Sequence, residues 1–274
     1  MSRALIGVCA LLPTLALGAE TGGSAAVPNL TAAQIVERNV AARGGLAAWH
    51  AVKAMTWSGQ LEAGGNNRPT LAMPGPRAQG AMPPSRPREQ MQLPFVLDMK
   101  RPRMSRLEIT FNGQEAVQVY DGGHGWKVRP FLNRHEVESY TPDELKVAAG
   151  QSDLDGPLID YAAKGSSVKL EGVEKIEGHD TYRLALTRKD KQVQHVWIDA
   201  NTFLEIKIEG APRRLDGRYH QVWVFTRNYK SVSGIVIPTV METTVQGVAN
   251  TEKINIEKID VNPKLADSRF AKPT

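Results

Sequence analysis

Proton transfer and metal binding need imidazoles, carboxylates or thiolates at particular spacings, and this 274-residue chain offers six histidines and one cysteine. His50, His124, His135, His179, His195 and His220 show no metal-ligand spacing. His135-Glu136 opens no H-E-x-x-H, because Val137, Glu138 and Ser139 follow. The chain also lacks a Gly-x-Ser-x-Gly elbow, a Walker loop and a dinucleotide fingerprint. Asp199, Glu205 and Glu209 alternate with apolar neighbours and read as the wet face of strands. No carboxylate pair is thereby singled out for hydrolysis. Neither a catalytic residue nor a metal or other cofactor is expected.

A second kind of chemistry is attraction for anions. Arg86, Arg88, Lys100, Arg101, Arg103 and Arg106 cluster in sequence, with only Phe95 among them as an aromatic. So few rings argue against stacking on single-stranded nucleic acid, which is not expected as a partner. Anionic lipid headgroups and ordinary solvation both remain open for this cluster.

The third kind is apolar binding, which needs no catalytic motif. If the strands curl into a barrel, Trp57, Leu107, Phe111, Trp126, Leu184, Trp223 and Phe225 would form its inner wall. That wall is either a filled core or a cavity for an apolar ligand. An acyl chain of about sixteen carbons would gain roughly 12 kcal/mol gross on burial.

The elements that position these residues are mostly strands. Met55, Trp57, Gly59 and Leu61 alternate with polar residues, as in a half-buried antiparallel strand. The alternation returns at Leu107/Ile109/Phe111, Tyr182/Leu184/Leu186, Leu204/Ile206/Ile208, Trp223/Phe225 and Ile235/Ile237. Roughly eleven to thirteen such runs, split by turns such as Asp121-Gly122-Gly123, predict a mainly β chain. The fold expected is an incomplete antiparallel β-barrel of about 11 strands, with short helices as a lid over an apolar cavity.

Helices are expected over 31–52, starting at a Thr31/Gln34 capping box and broken at Gly44-Gly45, and over 141–165. In the second region Thr141-Pro142-Asp143-Glu144 starts one helix that Gly150 ends, and Gly156-Pro157 starts another that Gly165 stops. Neither has a crossover to make in a simple meander, so both are expected to lie over one mouth or face of the sheet. Residues 63–94, rich in Gly, Pro, Met and Arg, read as a hairpin insertion, either a bland loop or a flap.

Residues 1–19 have Arg3, an apolar stretch from Ala4 to Leu17 and then Gly18-Ala19, the order of a cleavable export signal. Cys9 lies inside the apolar stretch and would leave with it. Residues 20–30 are expected to be a flexible lead into a single domain spanning 31–274. The 41% apolar and 23% charged composition excludes wholesale disorder and a polytopic membrane protein.

Lys100-Arg101-Pro102, a strand over 103–112, Tyr120-Asp121-Gly122, Trp126 and Pro130-Phe131 resemble the LolA-like periplasmic lipoprotein-sorting proteins. Trp197-Ile198-Asp199, the run Thr202 to Lys207, Tyr229, Gly234 to Pro238, Val261-Asn262, Phe270 and Pro273 extend the resemblance. It implies helices closing one side of an open barrel over a cavity for acyl chains. It also implies a periplasmic carrier of lipid or lipoprotein, with an inner-membrane exporter, an outer-membrane acceptor and transient membrane contact. In that family the arginine of K-R-P ties the lid down and releases it on loading, a role that falls on Arg101. The insertion, the greater length and the Asp-Gly-Gly-His-Gly-Trp spacing depart from the family pattern. A periplasmic sensor or scaffold using the same sheet to bind a protein is the alternative; a hydrolase has least support.

Overall fold

Alternating sequence becomes sheet almost throughout. The computed structural model describes residues 27–64, 90–130, 133–215 and 217–274. The expected leader at 1–19 and the central part of the insertion, 65–89, lie outside the described residues.

The chain begins with helices α1 (Ala32–Ala42) and α2 (Leu46–Ala51). Six strands follow: β1 (Ala54–Gly64), β2 (Gln90–Lys100), β3 (Met104–Phe111), β4 (Gln114–Tyr120), β5 (Gly125–Arg129) and β6 (Arg134–Ser139). Helix α3 (Pro142–Gln151) then leads to β7 (Ser167–Ile176), β8 (His179–Thr187), β9 (Val193–Asp199) and β10 (Glu205–Leu215). The series ends with β11 (Arg218–Val232), β12 (Ile235–Val245) and β13 (Glu252–Val261). Among the described residues these make one 13-stranded antiparallel sheet, slightly more than the expected eleven.

The strand order is β6-β5-β4-β3-β2-β1-β13-β12-β11-β10-β9-β8-β7. Two meanders therefore meet at the β1–β13 seam, and β6 and β7 are the two edges. The chain leaves one edge at Ser139 and re-enters at the other at Ser167. Residues 140–166 are thus a crossover from edge to edge, which corrects the expectation that they have none to make. Their geometry also differs from expectation. Gly150 lies within α3, whose C-cap is Ser152, and residues 157–164 form turns and no second helix.

Two expected loops prove shorter. Pairing of β1 with β2 runs out to Gly64↔Gln90, so residues 63–64 and 90–94 belong to strands. Residues 27–30 are packed down: Val27 and Leu30 touch the core, and the Tyr182 hydroxyl donates to the Pro28 carbonyl at 2.7 Å.

Directly opposed residues of an antiparallel pair share a face. One face carries Met55, Trp57, Leu97, Met99, Leu107, Leu184, Val196 and Ile237, and the helices cover it. Ile35 and Val36 of α1 pack on Tyr182, Leu184, Leu186 and Ile198; Trp49 of α2 packs with Met55, Met99, Ile235 and Ile237. The opposite face has a smaller cluster, Val117, Val119 and Phe270, under the C-terminal segment.

Gly44 lets α1 turn into α2 against the β11–β12 turn. Its φ is +104°, and a Cβ there would meet the Gly234 carbonyl oxygen at 2.1 Å. The Val236 amide donates to the Arg43 carbonyl at 3.0 Å beside it. Gly44→Ala is expected to cost about 2 kcal/mol in denaturant unfolding, from left-handed strain plus the contact. Unchanged stability would show that the seat yields.

Candidate functional site

Arg101 follows β2 at the turn into β3, and its guanidinium reaches three separate partners. Nε donates to the Val52 carbonyl at 2.7 Å and Nη2 to the Trp49 carbonyl at 3.1 Å. Both carboxylate oxygens of Asp155 accept from it, Oδ2 from Nη1 at 3.0 Å and Oδ1 from Nη2. A planar fork with five donors suits this convergence. The clamp joins the β2–β3 turn, the end of α2 and the crossover. Hydrogen bonding to Asp155 raises the Arg101 pKa against the opposing effect of burial.

A second arginine braces the same region. Arg43 donates to the Asp155 carbonyl and to Glu205, each at 3.2 Å, and lies over the Trp49 ring. The Tyr229 hydroxyl donates to Glu205 at 3.1 Å, and burial pushes its pKa well above the ordinary value.

The crossover is held unevenly. Leu154, Asp155, Leu158 and Ile159 are buried, whereas α3 buries none of its residues and exposes Val147. Lys127 ties α3 to β5 through Glu144, and Ser105 and Ser152 hydroxyls bond at 2.9 Å. Burial works to raise the Glu144 pKa, but the Lys127 ammonium and the Thr141 amide outweigh it and hold it below 4.5. A carboxyl lowered by folding stabilises above its unfolded pKa and loses that contribution as pH falls through the folded value. Hydrogen exchange is therefore expected to show α3 losing protection below about pH 4 before 154–159 does; equal protection at pH 3 and pH 7 would contradict this.

Beyond the helices, the covered face continues as a half-buried apolar wall. Trp57↔Leu97 and Leu97↔Leu107 form one row; Phe95↔Ile109 forms the next, with Leu61↔Leu93 and Phe111 further out. Trp57 Nε1 is buried with no hydrogen-bond partner among the described residues.

The register divides the seven residues expected on one wall. Trp57, Leu107, Phe111 and Leu184 share the helix-covered face. Trp126, Trp223 and Phe225 lie on the other face, which corrects the expected set. Trp126 opposes Val119 and packs near Phe270. Phe225 opposes Lys207, and Lys207 opposes Trp197. The Lys207 ammonium sits 4.3 Å from the Trp197 ring, 4.9 Å from Trp223 and 5.7 Å from Phe225. Burial lowers its pKa, as enclosure by rings requires.

The supposedly wet carboxylates are also corrected. Asp199 and Glu205 are each 3% exposed. Asp199 accepts from the Asn201 and Thr202 amides, a local turn that the intervening strand pattern conceals. Glu205 is enclosed by Arg43 and Tyr229, partners distant in sequence. The histidines are occupied individually: His179 with Asp199 at 2.9 Å, His50 with Asp160 at 2.6 Å, and His195 between Glu209 at 2.6 Å and Glu171 at 3.3 Å. Carboxylates on opposite ring nitrogens cannot face one metal ion, and no metal-binding group of three or more occurs among the described residues.

Solved structures match this arrangement across most of the chain. A LolA superfamily protein of Nitrosomonas europaea superposes with a TM-score of 0.55 at 16% identity, covering 89% of this chain and 99% of its own. The fold is LolA-like. A Vibrio parahaemolyticus domain named for outer membrane lipoprotein sorting has the same LolA-like frame, with a TM-score of 0.52 at 15% identity and coverages of 87% and 95%. A DUF1329 family protein of Desulfovibrio piger gives 0.53 at 15%, covering 87% and 96%. A family model described only as an uncharacterised protein matches residues 159–274. No curated protein matches. On the LolA-like frame, Arg101 stands where the crossover and α2 meet the sheet.

Proposed function

We propose that this chain is a non-enzymatic carrier that holds acyl chains of a lipid or lipoprotein against the helix-covered face of its sheet. The observation that carries the reading is the half-buried apolar wall running from Trp57 and Leu107 to Phe111 beside a crossover clamped by Arg101. Acyl chains ask for apolar area and little else, at about 0.8 kcal/mol per buried CH₂. The unpartnered Trp57 indole N–H would suit an ester carbonyl at the head of such a chain. The likeness to a lipoprotein-sorting domain supports the same cargo class.

Export through the 1–19 leader would place the carrier in the periplasm, where it receives cargo from an inner-membrane donor and passes it to an outer-membrane acceptor. Contact with either membrane is transient. Arg101 holds the empty, closed state, and α3, the weakly held part of the crossover, moves first.

Titration of delipidated protein with a fluorescent fatty acyl probe is expected to saturate at micromolar concentrations. Flat titrations with several chain lengths would overturn the carrier reading, and a tight protein partner recovered alongside them would favour the scaffold.

A further inference from the structure

A shallow hollow, largely open to solvent, lies where the start of β1, the end of β2 and the C-terminal segment meet. Three of its lining residues are Lys53, Lys100 and Lys264, and none is acidic. The rim is built into the backbone. Asn262 Oδ1 accepts from the Lys53 and Ala54 amides at 2.6 and 3.3 Å, its Nδ2 donates to the Ala51 carbonyl, and the Asn262 amide donates to Ala54.

Among the described residues only one of the three ammonium groups has a carboxylate partner. Lys100 Nζ donates to the Leu265 carbonyl and to Asp267, both at 2.7 Å, and the Asp267 side chain is 81% exposed. Lys53 Nζ donates to the His50 carbonyl at 3.1 Å, and Lys264 forms no hydrogen bond or ion pair among the described residues. Asp267 offsets the Lys100 charge, and the Lys53 and Lys264 charges brought to the same hollow are the ones an incoming anion would join. Ammonium groups act as point charges toward phosphate and need no planar, two-pronged partner.

We propose that this hollow binds an anionic phosphate ester, supplied by a phospholipid headgroup in a membrane or by a soluble phosphate compound. It lies apart from the apolar wall: Lys100 shares its side of β2 with Asp98 and turns to the C-terminal segment. The site therefore stands or falls independently of acyl-chain binding. A membrane source would make it the point at which the protein rests on a lipid surface.

The test compares the full chain with Lys53→Gln/Lys264→Gln, which leaves the Arg101 clamp and the Lys100–Asp267 pair untouched, and with Lys230→Gln/Lys258→Gln, which removes the same charge elsewhere. Vesicles of phosphatidylcholine with and without phosphatidic acid form one arm. Calorimetry with inorganic phosphate and glycerol 3-phosphate forms the other. Loss of two surface lysines at the contact is expected to weaken binding to acidic vesicles roughly 25-fold, while the control pair changes it less than about twofold. Saturable binding in the vesicle arm alone identifies a headgroup; saturation by glycerol 3-phosphate identifies a soluble ester. Equal losses in both variants, or no binding in either arm, would overturn the proposal. Matched denaturant midpoints for the three proteins keep a folding defect from imitating the result.

Discussion

Arg101→Leu is expected to bind an acyl probe more tightly than the parent chain and to hand it on more slowly. The reason is linkage. In the proposed cycle the guanidinium joins Trp49, Val52 and Asp155 only while the crossover is closed over the sheet. Its contribution therefore belongs to the empty state and opposes loading. Removing one partner of a buried ion pair costs about 3–5 kcal/mol. Arg101 is 30% exposed and Lys164 stands 3.7 Å from Asp155, so the lower end applies here. A closed state weakened by about 3 kcal/mol allows up to a hundredfold tighter apparent binding. Probe transfer to acceptor vesicles slows correspondingly. The empty variant unfolds at lower denaturant, and saturating probe restores most of the difference. Arg101→Leu/Asp155→Leu separates the clamp from damage to the fold, because removing both charges relieves the stranded carboxylate and recovers stability without restoring the clamp. Unaltered probe affinity and unaltered transfer in both variants would remove Arg101 from the cycle.

Much of this frame is legible in the chain because its causes are local. The Thr31/Gln34 and Thr141/Glu144 boxes form as their spacing requires. Arg101 was legible through the K-R-P resemblance, and its fork meets helix-end carbonyls as that chemistry demands. What escaped the sequence is set by pairing. Alternation states that Phe225 and Trp223 share a face, yet not which face of the sheet that is. The answer comes from register carried through irregularities at Ser58/Gly59 and Glu205/Lys207. Both sides of the sheet have apolar residues because both are covered, one by helices and one by Phe270 and the Lys207 aromatic stack. Asp98 is a further case. Thr56 at 2.5 Å and Arg269 at 2.7 Å, 171 residues away, enclose it, and no local pattern in the chain announces that pairing. The crossover was missed for the same reason: nothing within 140–166 reports that β7 joins the sheet at its far edge.

That division into two faces yields the sharpest test of where cargo lies. Leu107→Glu is expected to weaken acyl-probe binding about 30-fold or more, whereas Phe225→Glu changes it less than about twofold. Leu107 opposes Leu97, which opposes Trp57, so a carboxylate there stands in the middle of the apolar wall. An acyl chain crossing it must desolvate the charge or forgo the contact, and either loss exceeds that of a single methylene. Phe225 carries the same substitution into different surroundings. Lys207 lies 5.7 Å from its ring and Arg227 5.5 Å, so the new carboxylate gains cationic neighbours and the fold tolerates it. Both positions are half-buried strand residues, which makes each variant the control for the other. Leu107→Met retains apolar area at the same place and should keep near-parental affinity. Equal losses at Leu107 and Phe225 would mean that the probe reports general destabilisation. A loss at Phe225 alone would move the cargo to the opposite face, onto the rings that enclose Lys207.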